Sequence, residues 1–551
     1  MSEPMDHERT GVFGPMLRLS RVPAGGPREH KKRAREDAGQ AMLMVVALIT
    51  VAATVPAVVM ATSVGQLTGT RENLNWAGAY AAAEAGVNDY IQSLDAAGNF
   101  TEWTAGRNTC PASTTNADDA AFCGWVALYD QTSPDEWYEY ALPSTNGGGL
   151  TLTVSGMAGT GASAVVRTFK YRIIPENTFL DDIYWTQYEM TDPRLGGTCA
   201  AQYYVSSSSP NQSCWIQFDS EDTLDGPVFS NDTFRLCGSP TFNGPVYSAA
   251  GTRGKPLDVA GEGCGTPTPG GAGWGTGPNN VGNEPLPTTV AEASAASYVG
   301  CYIAGTSATS PASNVQMTLA QSGSTTKITW TGGTVYDQTA NPNCTSPITA
   351  SSLTSSLIYV FGNVTIAAGS TDTGFMTIVA GATDSSGDPA TAYPGAGVMT
   401  LNGSVTYPAA DIASSGYYDV DNSDALGLIG DYAIQMETSG GQEPCPTGGM
   451  QVDAALLALQ DSFYNPNWST GNICALYVVG SIAQDFRGAV GALDDAGNVV
   501  DGYEKHYTWD QSLGTYWPPY YLSPTSATWA PASYEECQAG TVHAALATPS
   551  C

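Results

Sequence analysis

Histidine is nearly absent from this chain, and lysine and arginine are scarce beyond its first segment. Four histidines occur in 551 residues, and only His506 and His543 lie beyond residue 30. A Ser/His/Asp or Cys/His catalytic arrangement needs a placed imidazole, and neither of these two falls in a nucleophile-elbow or protease signature. No G-x-x-x-x-G-K-S/T loop is present to cradle a nucleotide phosphate, which argues against an NTPase motor. No two cysteines form a C-x-x-C pair, so the usual ligand spacing of structural zinc is missing as well. Charged residues are only 13% of the chain while glycine numbers 62 and proline 34, a composition of strands and turns rather than of long surface helices.

Eight of the twenty basic residues precede Glu36: Arg9, Arg18, Arg21, Arg28, Lys31, Lys32, Arg33 and Arg35. The remaining twelve face forty-eight acidic residues. So acidic a body repels phosphate backbones, and nucleic acid is not expected as its partner. The cysteines are as unevenly placed. All twelve fall after residue 109, at Cys110, Cys123, Cys199, Cys214, Cys237, Cys264, Cys301, Cys344, Cys445, Cys474, Cys537 and Cys551. An even number confined to one side of an apolar segment points to disulfides formed in an oxidising exterior.

That segment is Ala41 to Ala61, AMLMVVALITVAATVPAVVMA, which carries no charge over about the length a helix needs to cross a bilayer. The cluster Lys31-Lys32-Arg33-Ala34-Arg35 just before it marks the cytoplasmic side, leaving the body outside. A helical pattern then continues. Leu67, Leu74, Tyr80, Val87 and Leu94 recur at about sevens, with Ile91 between, and are the expected packing positions. Small residues dominate among them, and Pro56 is expected to kink the helix.

A basic leader, a glycine before an apolar span, and a continuation containing Ala82-Ala83-Glu84-Ala85-Gly86 resemble the N-terminus of type IV pilins, and of PilX-type minor pilins in particular. The resemblance covers about Arg35 to Leu94. It implies cleavage after Gly39 by a prepilin peptidase, with Gln40 as the new N-terminus, and helix packing in a filament with other pilins. Major pilins carry glutamate at the fifth residue after the cut, where this chain has Met44, and they begin with Phe or Met rather than Gln. Glu84 is either part of a solvated helix face or an inter-subunit contact.

Beyond the helix, the runs WVALY, EWYEYAL, LTLTVSG and AVVRTFKYRII predict strands of a small antiparallel pilin-like sheet. Further on, Gly226-Pro227-Val228-Phe229-Ser230 recurs eighteen residues later as Gly244-Pro245-Val246-Tyr247-Ser248, a period suited to stacked coils. A second phrase recurs at Val360-Phe361-Gly362-Asn363-Val364, Leu401-Asn402-Gly403-Ser404-Val405 and Val478-Val479-Gly480-Ser481-Ile482, where glycine beside a small polar residue turns the chain between strands. The expected fold is mainly β with one long N-terminal helix: a transmembrane α-helix, the small antiparallel sheet, then a parallel β-helix or solenoid, with a sandwich as the alternative. The expected divisions are a basic cytoplasmic leader (1–39), the helix (40–95), the pilin-like β region (96–190), the solenoid (191–491) and a capping region (492–551). Helical interruptions are expected near 289–298 and 453–461.

The C-terminal region resembles the pilus-associated β-helix proteins of Gram-positive bacteria, on Arg487-Gly488-Ala489-Val490-Gly491, Gly502-Tyr503 and Tyr516-Trp517-Pro518-Pro519-Tyr520. Aromatics beside prolines would close the end of a solenoid or offer a carbohydrate platform. Because coils keep sequence neighbours close, the expected disulfides join successive cysteines: 110–123, 199–214, 237–264, 301–344, 445–474 and 537–551. Asp419, Asp421, Asn422 and Asp424 offer hard oxygen ligands for calcium or else form a solvated acidic turn. Carboxylate pairs (Asp181-Asp182; Asp219, Glu221 and Asp222; Asp494-Asp495) leave a membrane-anchored, carbohydrate-active β-helix enzyme as the rival reading, but so many acids make each pair uninformative. The expected function is non-enzymatic: an anchored minor pilin or pilus-assembly surface protein working with pilins, the membrane and a surface ligand.

Overall fold

The computed structural model describes residues 36–97, 124–128, 135–144, 150–160, 164–194, 199, 201, 203, 214, 216–252, 257–259, 266–275, 277–287, 290, 299–336, 344–353, 355–383, 395–408, 424–436, 449–469, 473–494, 498–514 and 516–537. They fall into two units, Met1–Asn73 and Leu74–Cys551. A single helix, Glu36–Ala97, carries the chain from one unit to the next and includes Pro56. In the first unit the described large apolar side chains of this helix lie open to solvent, among them Leu43 (72% exposed), Met44 (74%) and Leu48 (73%). Among the described residues no helix is long and apolar enough to cross a membrane. Within the expected span, the side chains of residues 41, 42, 56–59 and 61 lie outside the described ones.

The second unit opens with the rest of the helix packed on an antiparallel sheet of five strands, in the order Val126–Ala127, Glu136–Ser144, Leu150–Ala158, Val165–Glu176 and Thr528–Glu536. Alternation explains the pairing of faces. Leu150, Leu152 and Val154 are fully buried toward the helix while Thr151 between them is exposed. The fifth strand corrects the expected capping region, because it returns from the far end of the chain to complete this head sheet. Pro531 lies within this strand. Proline is tolerated there because the strand is an edge strand, with its register shifting between Pro531 and Ser533.

The remainder is a parallel solenoid with three faces. The first face stacks Cys301–Ala304, Leu357–Ile366, Phe375–Gly381, Ala425–Gly430, Met450–Ala458, Ile473–Phe486, Tyr184–Tyr188, Val228–Ser230, Val246–Ser248 and Asn279–Asn280, all parallel. A second face stacks Ser370–Thr371, Val405–Thr406, the first halves of the 450–458 and 473–486 strands, Val499–Trp509, Thr223–Asp225 and Thr241–Phe242. A third contains Ala312–Ser322, the end of the 357–366 strand, Val398–Leu401, Ala433–Met436 and Phe463–Tyr464. The recurring glycines make the corners. Gly362 (φ 135°), Gly403 (φ 141°) and Gly480 (φ 152°) take backbone angles that L side chains avoid. A Cβ on Gly480 would fall 2.0 Å from the Ala454 carbonyl oxygen. Gly362 and Gly480 lie inside continuous strands, so they bend one strand across two faces rather than ending it.

The order along the first face departs from chain order, which corrects the expected solenoid of 191–491. The coils run outward from Tyr184 to Asn280, and the chain then reappears at Cys301, the opposite end of the stack, before returning to Ile482 beside Tyr184. Nine steps of about 4.8 Å separate those ends, roughly 43 Å. Part of the return path lies on the flank of the first face. Val281 N–H donates to Ser248, Glu284 N–H donates to Asn231, and Leu286, Val290 and Val299 join the apolar cover of that flank. The same cover includes Trp517, Tyr520, Tyr521 and Leu522, so the Trp-Pro-Pro-Tyr stretch shields the side of the solenoid instead of closing its end. At the Cys301 end the antiparallel hairpin of Ala312–Ser322 and Thr325–Thr331 supplies the last strands. Residues 453–458, expected as a helical interruption, continue the strand Met450–Ala458, and of 289–298 only Val290 is described.

Candidate functional site

Helix and head sheet meet through small residues. Ala79, Ala82 and Ala83 are fully buried, and Gly78 and Gly86 lie on the same side of the helix. Opposite them is Gly156, where a Cβ would sit 2.0 Å from the Ala79 carbonyl oxygen and 2.4 Å from the Ala83 nitrogen. Helix backbone therefore rests directly on strand backbone, which any larger side chain at these positions would prevent. This is the physical content of the Ala-Ala-Glu-Ala-Gly run. Of the expected packing positions, Val87 and Leu94 are buried and Tyr80 and Ile91 are half-buried against the same core. Leu74 is exposed, and the Leu67 side chain lies outside the described residues. The sevens missed Tyr90, which is 2% exposed and packs edge-on against Tyr140. A count of the small residues at three- and four-residue spacing would have found the contact face. Glu84 is exposed, and its hydrogen bond with Tyr80, helped by Tyr534 and burial, raises the Tyr80 phenol.

Arg167 ties the three parts of the head. Its guanidinium makes a two-pronged pair with Glu536 at 2.7 and 2.8 Å, donates to the Trp76 carbonyl at 3.3 Å, and lies 5.0 Å from the Trp76 and Phe169 ring centres. Helix, fourth strand and returning C-terminal strand are thereby joined at one side chain.

The other concentration of charge is at the seam where Ile482–Phe486 meets Tyr184–Tyr188. Arg487 donates to Glu189 at 3.0 Å and to the Gln217 carbonyl at 2.9 Å, and its guanidinium covers the Phe218 ring at 3.6 Å. Lys505 points inward and donates to Asp219 at 3.0 Å and to Asp222 at 2.5 Å. Burial holds the Asp222 carboxyl up at about 7 against the pull of Lys505. Nearby, burial and the Asp192 carboxyl push Asp461 up to about 8, and burial raises Asp485 to about 7. Arg194 closes on Asp192 at 2.5 Å. The cavity among Tyr184, Phe463, Gln484, Arg487, Lys505 and Tyr507 is about 10 Å³, room for about one water and not for a substrate. Of the other carboxylate pairs, one member of each has a local partner among the described residues, and Asp495 lies outside them. Asp181 caps a short turn through Thr178, and Asp494 accepts from Asn498.

Two of the expected disulfides are seen, Cys199–Cys214 and Cys301–Cys344, with Cα atoms 5.7 and 5.6 Å apart. Cys237, Cys474 and Cys537 are disulfide-bonded, and Cys110, Cys123, Cys264, Cys445 and Cys551 lie outside the described residues. So do Asp419, Asp421 and Asn422 of the expected calcium run. Asp424 is buried and accepts the Gly374 N–H at 2.6 Å. Among the described residues no group of three or more His, Cys, Asp or Glu could hold a metal. Gly39 and Gln40 are helical, with side chains outside the described residues.

No family model matches the chain, and no curated protein matches it. Among solved structures, the competence-associated pilin ComZ from Thermus thermophilus aligns at 13% identity and a TM-score of 0.26, over 84% of this chain and 97% of that one.

Proposed function

We propose that this chain is a surface protein anchored in the membrane by its N-terminal helix, pilin-like in its helix-on-sheet head, which displays a disulfide-bonded β-solenoid for filament assembly or adhesion. The observation that carries the reading is the stretch Leu43 to Val55. Its described large apolar side chains are each more than half exposed, on a helix whose later turns are packed on a sheet. Monomeric soluble proteins rarely leave so continuous an apolar surface in water, so a bilayer or neighbouring helices would cover it. The basic leader sets the orientation, with the body outside, and the PilX-type minor-pilin resemblance makes other pilins the natural partners. In this reading the chain acts by display and not by catalysis. Localisation tests it directly. Immunogold labelling is expected on sheared filaments, with intact mass showing cleavage after Gly39. Label that stays wholly with the cell body would end the filament part, and release of the full chain by carbonate washing would end the anchor.

A further inference from the structure

The solenoid exposes few large apolar side chains, and they are not scattered. Among the described residues from 178 to 514 they are Trp468 (41%), Ile473 (46%), Tyr477 (40%) and Val500 (45%). Ile473, Tyr477 and Val500 lie on neighbouring coils of the second face, and Trp468 lies in the turn that leads into it. Ile473 is in register with Gly502, and a Cβ on Gly502 would fall 2.8 Å from the Trp468 carbonyl oxygen, which brings Trp468, Ile473 and Val500 around one point. Four residues along the strand, about 13 Å away, Tyr477 is in register with His506 and the two rings stack at 5.0 Å and 19°. Between the apolar cluster and this aromatic pair the floor is small or acidic: Ala475 is in register with Glu504. Glu221 lies within electrostatic reach of Glu504, and it is raised by desolvation, then by Asp219, and further by Glu504. One Glu221 carboxylate oxygen is buried without a hydrogen-bond partner. The cation of this stretch, Lys505, is turned inward to Asp219 and Asp222.

We propose that this face docks a cationic segment of a partner protein, a lysine or arginine head meeting Glu504 and Glu221 above Ala475. Its stem lies along the Tyr477–His506 stack, and flanking apolar residues of the partner rest on Ile473, Val500 and Trp468. Charge complementarity selects this occupant. The outward groups are acidic between two apolar walls, the arrangement that suits a side chain with an apolar stem and a positive tip. The proposal deepens the display reading by naming the partner's chemistry. It does not use the helix, so loss of anchoring and loss of docking are separable results.

The test uses the full chain purified in mild detergent and a fluorescent nonapeptide of alternating lysine and leucine, read by anisotropy. Glu221→Gln with Glu504→Gln is expected to weaken binding by about fivefold or more, and Tyr477→Ala by a similar factor, with thermal unfolding unchanged. Tyr477→Phe, which keeps the ring, restores binding. A charge-matched pair on the head, Glu176→Gln with Glu535→Gln, stays within about twofold. Equal weakening by the two charge pairs would reduce the effect to net acidity and overturn the proposal. So would indifference to Tyr477→Ala, or binding of neutral maltoheptaose in place of the peptide.

Discussion

In the head, Leu150, Leu152 and Val154 face the helix while the residues between them are at least partly open. On the first face of the solenoid, all six residues of Ala425–Gly430 are buried, because one side meets the interior and the other joins the apolar cover that includes Leu286, Val290 and the 517–522 stretch. The same kinds of residue thus read as alternation in one region and as unbroken apolar runs in the other, the expected difference between a one-sided antiparallel sheet and a parallel sheet covered on both sides. Connectivity differs as well. Four of the five head strands pair with their neighbours in sequence, whereas the Arg487–Glu189 bond of the seam spans 298 residues. The comparison teaches that four head strands are joined locally and closed by one that returns from Thr528–Glu536, whereas the solenoid depends throughout on a junction that nothing local specifies.

The sharpest way to break this contrast is at Arg487. Arg487→Met would leave Glu189 buried without its cation, at a cost of about 3–5 kcal/mol. Hydrogen exchange is expected to show strands 184–188 and 482–486 losing protection together while 150–158 keeps its own. Adding Glu189→Leu should recover most of the loss, since an apolar pair of similar size can replace a buried ion pair. Next comes the disulfide Cys301–Cys344, which closes a loop of 43 residues. Replacing both by serine is expected to cost about 4 kcal/mol on chain-entropy grounds, measured by denaturant unfolding and confined in exchange to the 301–336 end.

On the head, Gly156→Ala places a Cβ against the helix backbone and should cost about 1–3 kcal/mol, with protease cutting near the helix end appearing before any change in the solenoid. Indifference to this substitution would refute the close approach of helix and sheet. The smallest effect is the dependence on pH. Asp222, Asp461 and Asp485 have folded values of about 7, 8 and 7, above those of unfolded carboxylates. Their contribution is therefore complete only below the unfolded carboxylate range, at about pH 4, and is lost progressively as pH rises from there to about 7 to 8. Thermal unfolding at pH 6 and pH 9 should show the loss, and Asp461→Asn should flatten it. The head, whose core holds aromatic and aliphatic contacts, should show little slope.

Much of this architecture was legible in the sequence for physical reasons. The head strands announce themselves by β-branched and aromatic alternation. The eighteen-residue repeat sets Val228 directly beside Val246 in the stack, and the recurring glycines stand at corners because only glycine accepts their backbone angles. The junction was not legible. Tyr184 and Ile482 pair through backbone groups that every residue carries, so no side-chain signal ties those two strands in advance. The head's fifth strand was missed for a related reason, since Pro531 hides an edge strand that pairs on one side only. The apolar face at Trp468, Ile473, Tyr477 and Val500 was missed because the residues come from two strands and a turn and meet only after coiling.

The order of coils also sets a timetable for synthesis. The strand Tyr184–Tyr188 leaves the ribosome about 300 residues ahead of Ile482, the neighbour that covers its edge. At ~5–20 residues per second the interval is roughly 15–60 s, far longer than short strands need to find a partner. Throughout that time the early coils present an unpaired parallel edge, which can recruit the same edge of another chain. Whatever shields that edge until Ile482 arrives would therefore matter more to the yield of this protein than to its final stability.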